Sequence, residues 1–417
     1  MTGHIDKRGF RRFSSVMSWF GALTLGCWAT VVLVAWVVRN RTFATFVGVF
    51  LGVYSLSAAS LAQAVPPAAL PFVAVLHVTV YVSFLALARP RMRGLGYRLL
   101  VSWPSSFFAA GVLFALPWAV LIAAGSKPWG VWVPFAFAAV GLVQSLTSRK
   151  DTVDLVVTEP ADPARGSIVA PLRPGPHREE RPLRIVQISD PHLGPFMSVA
   201  RLRRIAERAV AAKPDLVFLT GDFLTMESHS DPSLLLRSLE PFAALPGQVF
   251  ACFGNHDHEA PDHVRRALAH NGIALLMDDS TLVETAAGPV QIVGADFVWR
   301  ERSEHLTRVC RAHPRIPGAT RIVLLHDPGA FKHLPEGEAD LVLAGHTHGG
   351  QVGLLSLGSS WTFLRLFGTK LPDHGFWARG TDRMYVHRGT GHYGFPLRLG
   401  VPAEESVLRV HRVAVST

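Results

Sequence analysis

Between Thr42 and Ala88 the chain runs for 47 residues without one Asp, Glu, Lys or Arg. Leu99–Ser126 repeats the pattern over 28 residues and Pro128–Ser148 over 21. An apolar helix needs roughly 20 residues to cross the hydrocarbon core of a bilayer, so runs of this length favour membrane helices over the core of a small soluble domain. Thr42–Ala88 holds two spans, with the break at Pro66 and Pro67. Val16–Val38 and Leu99–Gly125 add two more, and Val131–Thr147, interrupted by Pro134, a shorter fifth. Residues 1–148 therefore read as an α-helical transmembrane domain of four or five helices. Its first apolar segment exceeds the roughly 7–15 residues of a cleaved signal core and is followed by further spans. Trp103, Trp118, Trp129 and Trp132 lie near the ends of the runs, where interfacial aromatics belong.

The net charge of +10 has the same origin. Residues 1–148 carry eleven Lys/Arg and one acid, Asp6, whereas residues 149–417 carry thirty of each sign. A basic, apolar N-terminal third joined to a neutral remainder points to a membrane, and no nucleic-acid partner is expected. Lys/Arg placement bears on orientation. Five spans with the N-terminus outside put eight basic residues inside and five outside; four spans with it inside give seven against six. Both arrangements place residue 149 onward in the cytoplasm of, by expectation, a bacterial inner-membrane protein. The spans hold no charge, only His77, Gln63 and Gln144 as larger polar groups. An anchor, or a surface presenting a lipid-like substrate, fits this better than a transport path. The three cysteines form no CxxC pair and leave the redox compartment open.

Residues 149–182 read as a linker, with a Pro-, Gly- and Arg-rich stretch over Thr158–Pro182 and a short strand at Leu155–Val157. From Leu183 the pattern alternates short apolar runs with helical spacing, so residues 183–417 are expected to form an α/β domain. Polar residues follow the apolar runs directly. Asp190 and His192 follow the first, Asp222 the second, and Asn255, His256 and Asp257 the third. His326 follows a fourth, and His346 and His348 a fifth. Ligand sites in α/β sheets lie at the carboxyl ends of strands, and this set describes a metal cage. Imidazole with carboxylate suits Zn, Fe or Mn. Seven candidate ligands exceed what one tetrahedral ion needs and fit two divalent ions sharing a carboxylate, as in two-metal phosphoryl transfer. Gly221, Gly254 and Gly345 each precede a candidate ligand, where close backbone approach leaves no room for a Cβ.

The order Asp-x-His, Gly-Asp, Gly-Asn-His-Asp, His, Gly-His-x-His resembles the calcineurin-like metallophosphoesterase family, over about Leu183 to Val410. Gly349-Gly350-Gln351, Val386–Gly389 and Pro396–Gly400 resemble its bacterial membrane-associated branch. The resemblance implies a four-layer α/β/β/α sandwich. It assigns Asp190, His192 and His348 to a first metal, Asn255, His326 and His346 to a second, and Asp222 to both. His256 would contact the phosphate and protonate the leaving oxygen, with Asp257 orienting it, while a metal-bridging hydroxide attacks phosphorus.

The expected activity is hydrolysis of a phosphodiester, pyrophosphate or phosphomonoester by a membrane-anchored enzyme. A lipid-linked substrate such as a UDP-acyl-sugar pyrophosphate is the concrete candidate. The alternative is a membrane sensor or scaffold that binds a phosphorylated ligand without turnover. His392, in a Gly-rich loop, is a further candidate for substrate contact. The apolar stretch Trp361–Phe367, with Arg365 and Lys370 beside it, reads as core, lid or membrane-contacting loop.

Overall fold

The computed structural model describes residues 7–157, 169–171, 181–366 and 371–412. The chain divides into two compact units, residues 1–143 with Phe395–Leu399, and residues 144–394 with 400–417.

The first unit is helical: α1 (Lys7–Val38), α2 (Arg41–Ala62), α3 (Leu70–Ala86), α4 (Leu95–Phe114), α5 (Leu116–Ala123) and α6 (Val133–Ser145). Asn40 starts α2 by accepting a 2.8 Å hydrogen bond from the Phe43 amide. α2 and α3 part around Pro66 and Pro67, as the sequence requires. α4 and α5 meet at a 59° bend, with Pro117 in the first turn of α5. Every apolar run thus contains helix, but the lengths differ from the expectation of four or five spans. Trp19–Val38 and α2 are long and apolar enough to cross a bilayer, and α4 with α5 makes a third span if the bent pair acts as one. α3 has 17 residues and α6 has 13. Seventeen helical residues reach about 26 Å, short of a roughly 30 Å hydrocarbon core.

A buried polar cluster centres on His77. His77 is wholly buried, with Nε2 3.0 Å from Thr24 Oγ1 and Nδ1 2.9 Å from Tyr54 OH. Phe20 and Tyr81 pack on its ring. Satisfied on both nitrogens, His77 is a packing residue here.

The second unit contains two mixed sheets. β1 (Arg149–Val156), β3 (Leu183–Ile188), β4 (Leu216–Thr220), β5 (Val249–Cys252), β6 (Ala274–Leu275) and β13 (Glu404–His411) form one, in the order β1-β13-β3-β4-β5-β6. The other comprises β2 (Ala170–Pro171), β7 (Asp279–Thr285), β8 (Gly288–Gly294), β9 (Thr320–Leu324), β10 (Leu341–Ala344), β11 (Gly375–Arg379) and β12 (Asp382–Val386), in the order β2-β11-β12-β10-β9-β8-β7. Alternation along the strands sorts the side chains. Ile185, Phe218, Phe250, Ile292, Ile322 and Leu343 point inward and share one core between the sheets.

The alternate residues face helices. Val323 and Val342 pack with Leu306 and Val309 of α10 (Arg302–Ala312). Val186 and Ile188 share a cavity wall with Ile205 and Ala209 of α7 (Val199–Ala211). Helix, sheet, sheet and helix give the four-layer α/β/β/α order. One boundary differs from the sequence reading. The strand read as Leu155–Val157 is β1, eight residues long from Arg149, because it pairs in parallel with β13 from Arg149↔Glu404 to Val156↔His411. Residues 158–168 and 172–180 of the expected linker lie outside the described residues.

Candidate metal centre

Both sheets deliver polar residues to one edge. Asp190 and His192 follow β3, Asp222 follows β4, and Asn255 follows β5. His326 follows β9, and His346 and His348 follow β10. The Cβ that Gly345 lacks would lie 2.2 Å from Asp190 Oδ2 and 1.9 Å from Ser189 Oγ. A Cβ on Gly254 would lie 2.2 Å from Asp222 Oδ1 and 2.7 Å from His326 Cε1. These two glycines let the loops of opposite sheets close on each other, as their positions before candidate ligands require.

The residues assemble into two groups. Asp190, His192 and His348 bring one donor atom each within 4.8 Å of one another, and Asp222, His326 and His346 do the same. His192 Nε2 is 3.2 Å from His348 Nε2, which is 3.5 Å from Asp190 Oδ1. Asp222 Oδ2 stands between the groups, 3.3 Å from His326 Nε2 and 3.6 Å from His192 Nε2. Asp190 and Asp222 are buried to 0% and 2% exposure, where uncompensated carboxylates are costly.

The donor chemistry fits divalent cations. Asn255 Oδ1 and His326 Nε2 are buried without a hydrogen-bond partner, a state that native structures avoid unless something else meets the atom. His326 Nδ1 donates to the Thr220 carbonyl at 2.6 Å, so in the neutral ring Nε2 carries the lone pair facing Asp222. His192 Nδ1 lies 3.3 Å from the Leu224 carbonyl, the outer contact that fixes the tautomer of a metal-binding imidazole. Burial lowers His192 to about 4 and lowers His346 as well, keeping both neutral. Burial would lower His326 too, but Asp222 and Asp190 outweigh it and raise it to about 10. Burial pushes Asp222 up, and His326 and His192 overcome that and hold it far below the usual carboxylate range. Asp222 and Asp190 thus favour positive charge at His326, which a cation would supply when bound.

Backbone strain concentrates here. Asp190, His192, Asp222, His346 and His348 all have φ between 45° and 65°, a left-handed region that side-chain-bearing residues seldom occupy. Such strain persists only where the surroundings impose it and clusters at functional sites. His346 N donates to the Asp190 carboxylate at 3.0 Å, and His256 N to Asp222 Oδ1 at 2.9 Å.

His256 is half-buried, its ring centroid 5.5 Å from that of His192. Asp257 does not orient it, contrary to expectation. Asp257 accepts from the amides of Asp222 (2.7 Å), Gly254 (2.8 Å) and Phe223 (2.9 Å), bracing two of the strand-end loops. Its hydrogen bonds thus go to three backbone amides rather than to the imidazole. The partner of His256 Nδ1 is Glu259 Oε1 at 2.8 Å. The signal lay in the sequence: the two are three residues apart, a neighbour spacing on any helical turn.

Aromatic side chains wall the centre. Tyr393 stacks on His192 at 5.1 Å and meets His256 edge-on at 5.0 Å. Phe297 lies 6.1 Å from His346 and 6.3 Å from His326. The sequence reading named His392 rather than its neighbour Tyr393; His392 is buried against Phe196 at 4.5 Å.

Residues 183–350 match the family described as calcineurin-like phosphoesterase. The chain is 28% identical over 235 residues to phosphodiesterase YaeI of Escherichia coli, covering 55% of this chain and 82% of that protein. It is 33% identical over 144 residues to the uncharacterized metallophosphoesterase YkoQ of Bacillus subtilis, covering 33% of this chain and about half, 51%, of that one. It is 27% identical over 281 residues to the UDP-2,3-diacylglucosamine pyrophosphatase LpxG of Chlamydia muridarum, covering 54% and 83%.

Proposed function

Because the chain carries a calcineurin-like metallophosphoesterase domain and is a metal-dependent phosphohydrolase, we propose that it cleaves a pyrophosphate or phosphodiester bond of a lipid-linked substrate at a two-cation centre. The observation that carries the two-cation reading is Asp222, its carboxylate between two groups of donors. Asp190, His192 and His348 would hold one ion, Asn255, His326 and His346 the other, and Asp222 both. The ions supply positive charge to the phosphoryl oxygens and lower the pKa of water toward neutrality.

The chain's own residues do the rest. Asp257 fixes the loops that carry Asp222 and Asn255. Glu259 occupies His256 Nδ1, which leaves Nε2 to pass a proton to the departing oxygen. Water adds to phosphorus, the bridging P–O bond breaks, and a pyrophosphate yields two phosphomonoesters. Apolar helices in the same chain support membrane association, and with it a membrane-borne substrate. The activity named for LpxG makes a UDP-acyl-sugar pyrophosphate the first substrate to try. The basic-residue asymmetry supports a cytoplasmic site.

The test uses the full chain, purified in detergent with Mn²⁺. Hydrolysis of a UDP-diacylglucosamine, a chromogenic phosphodiester and its monoester is compared between wild type and Asp222→Ala. Turnover of the lipid-linked substrate by wild type alone is expected. A folded, metal-loaded wild type that binds these compounds and turns over none would overturn the proposal in favour of a sensor or scaffold.

A further inference from the structure

The lobe Val352–Leu366, which begins four residues after His348, presents an apolar surface to solvent. Leu357 is 80% exposed and Leu366 60%, with Leu354 and Phe363 at 43% each. Its one charged residue among fifteen, Arg365, is 3.3 Å from Asp373. Scattered exposed leucines are ordinary on soluble proteins, whereas a cluster within one short segment marks an interaction surface.

The lobe is built to hold these side chains out. Leu354 N donates to the Trp361 carbonyl at 2.9 Å, and Phe363 N to the Val352 carbonyl at 2.7 Å, closing a hairpin. A Cβ on Gly353 would meet the Trp361 carbonyl at 2.6 Å, so the two limbs lie in direct contact. Buried Asp373 bonds Thr362 and Arg365 through its carboxylate, while its carbonyl accepts from Thr347, the residue between His346 and His348, at 2.7 Å. The apolar tip and the metal loop are therefore one hydrogen-bonded construction.

We propose that this lobe dips into the bilayer surface and guides the apolar part of the substrate to the metal centre. Two observations favour lipid over a protein partner. The same chain carries helices long and apolar enough to cross a membrane, so the lobe works where lipid is present. Trp361, half-buried at the root of the tip, has the amphipathic character of an interfacial residue. Leucines on a polar-rooted element bind a bilayer by the area they bury. The guiding role rests on the lipid-linked reading given above; the insertion does not.

The test uses the full chain in nanodiscs. A fluorophore on Leu357→Cys should be quenched at least twofold by brominated lipid, while one on Leu282→Cys, an exposed position on β7, stays unquenched. Equal, negligible quenching at both sites would overturn the insertion, and so would a Leu357→Cys crosslink between two copies. Leu357→Asp with Leu366→Asp should raise KM for the lipid-linked substrate about tenfold or more. Activity on the soluble diester should be unchanged, which also shows that the variant folds. Equal KM values for the lipid-linked substrate would overturn the guiding role. Quenching at Leu357 in a protein without lipid-linked turnover would instead sink the substrate reading and leave the insertion standing.

Discussion

His77 and His326 are both buried imidazoles, one in the helical unit and one at the edge of the sheets, and they do opposite things. His77 meets two neutral hydroxyls, Thr24 and Tyr54, and both its nitrogens are satisfied. His326 meets one carbonyl through Nδ1, and its Nε2 faces the Asp222 carboxylate at 3.3 Å. Burial and residue type are the same, so the partners decide. Hydroxyls that both donate and accept complete a packing residue; carboxylates and an orphaned amide oxygen call for a cation. The backbone agrees: Asp190, His192, Asp222, His346 and His348 have positive φ, and among the described residues no non-glycine residue of the helical unit does.

The largest break in this comparison is Asp222→Ala. It removes the carboxylate shared by both donor groups, and the loss of several kcal/mol of transition-state charge stabilisation lowers kcat roughly a thousandfold. Metal content by mass spectrometry falls with it. His77→Phe, in contrast, leaves kcat within about twofold.

Asp257 and Glu259 separate bracing from proton transfer. Asp257→Ala strands three buried amides, at about 1–3 kcal/mol for each unsatisfied group, so the melting temperature and metal content both drop. Glu259→Gln keeps stability and metal but loses the charge beside His256. A roughly tenfold fall in kcat is expected, because His256 Nδ1 loses the charged partner that holds the ring. Unchanged kinetics in Glu259→Gln would remove His256 as the proton donor.

The proton on His326 sharpens the comparison further. Its folded value near 10 exceeds the ordinary 6.5, so its stabilisation of the metal-free protein is complete below pH 6.5 and is lost as the pH rises through about 10. Metal binding displaces that proton. Calorimetry in buffers of different ionisation enthalpy should show about one proton released at the second group, and affinity that strengthens with pH over this window. Binding that is indifferent to pH would contradict the assignment.

The smallest effect belongs to the helical unit. His77→Phe leaves the Tyr54 hydroxyl without its partner, at about 1–3 kcal/mol before relaxation, while Thr24 keeps its bond to the Phe20 carbonyl. Thermal unfolding of the detergent-solubilised chain should begin earlier, with metal content intact.

The site was legible in the sequence because its residues end apolar strands, and strand ends converge wherever the sheets place them. Asp190, Asp222 and His346 could be chosen without knowing which sheet each came from. Asp257 was misplaced because a Gly-Asn-His-Asp run says which groups lie close along the chain, not which way a carboxylate turns; three amides from two loops settle that. α10 and β11 were not anticipated: α10 is rich in charge on its exposed face, and β11 is held by pairing with β12. Charge-free length also overstates helix length wherever Pro, Gly and turn residues divide a run, so α3 and α6 come out at 17 and 13 residues.

Electron paramagnetic resonance of the Mn²⁺-loaded full chain, with metal stoichiometry on the same sample, tests the centre most directly. Two ions sharing Asp222 give an exchange-coupled pair at two Mn²⁺ per chain, and Asp222→Asn abolishes the coupling. One ion per chain, or two uncoupled ions in the wild type, would contradict a centre shared through Asp222.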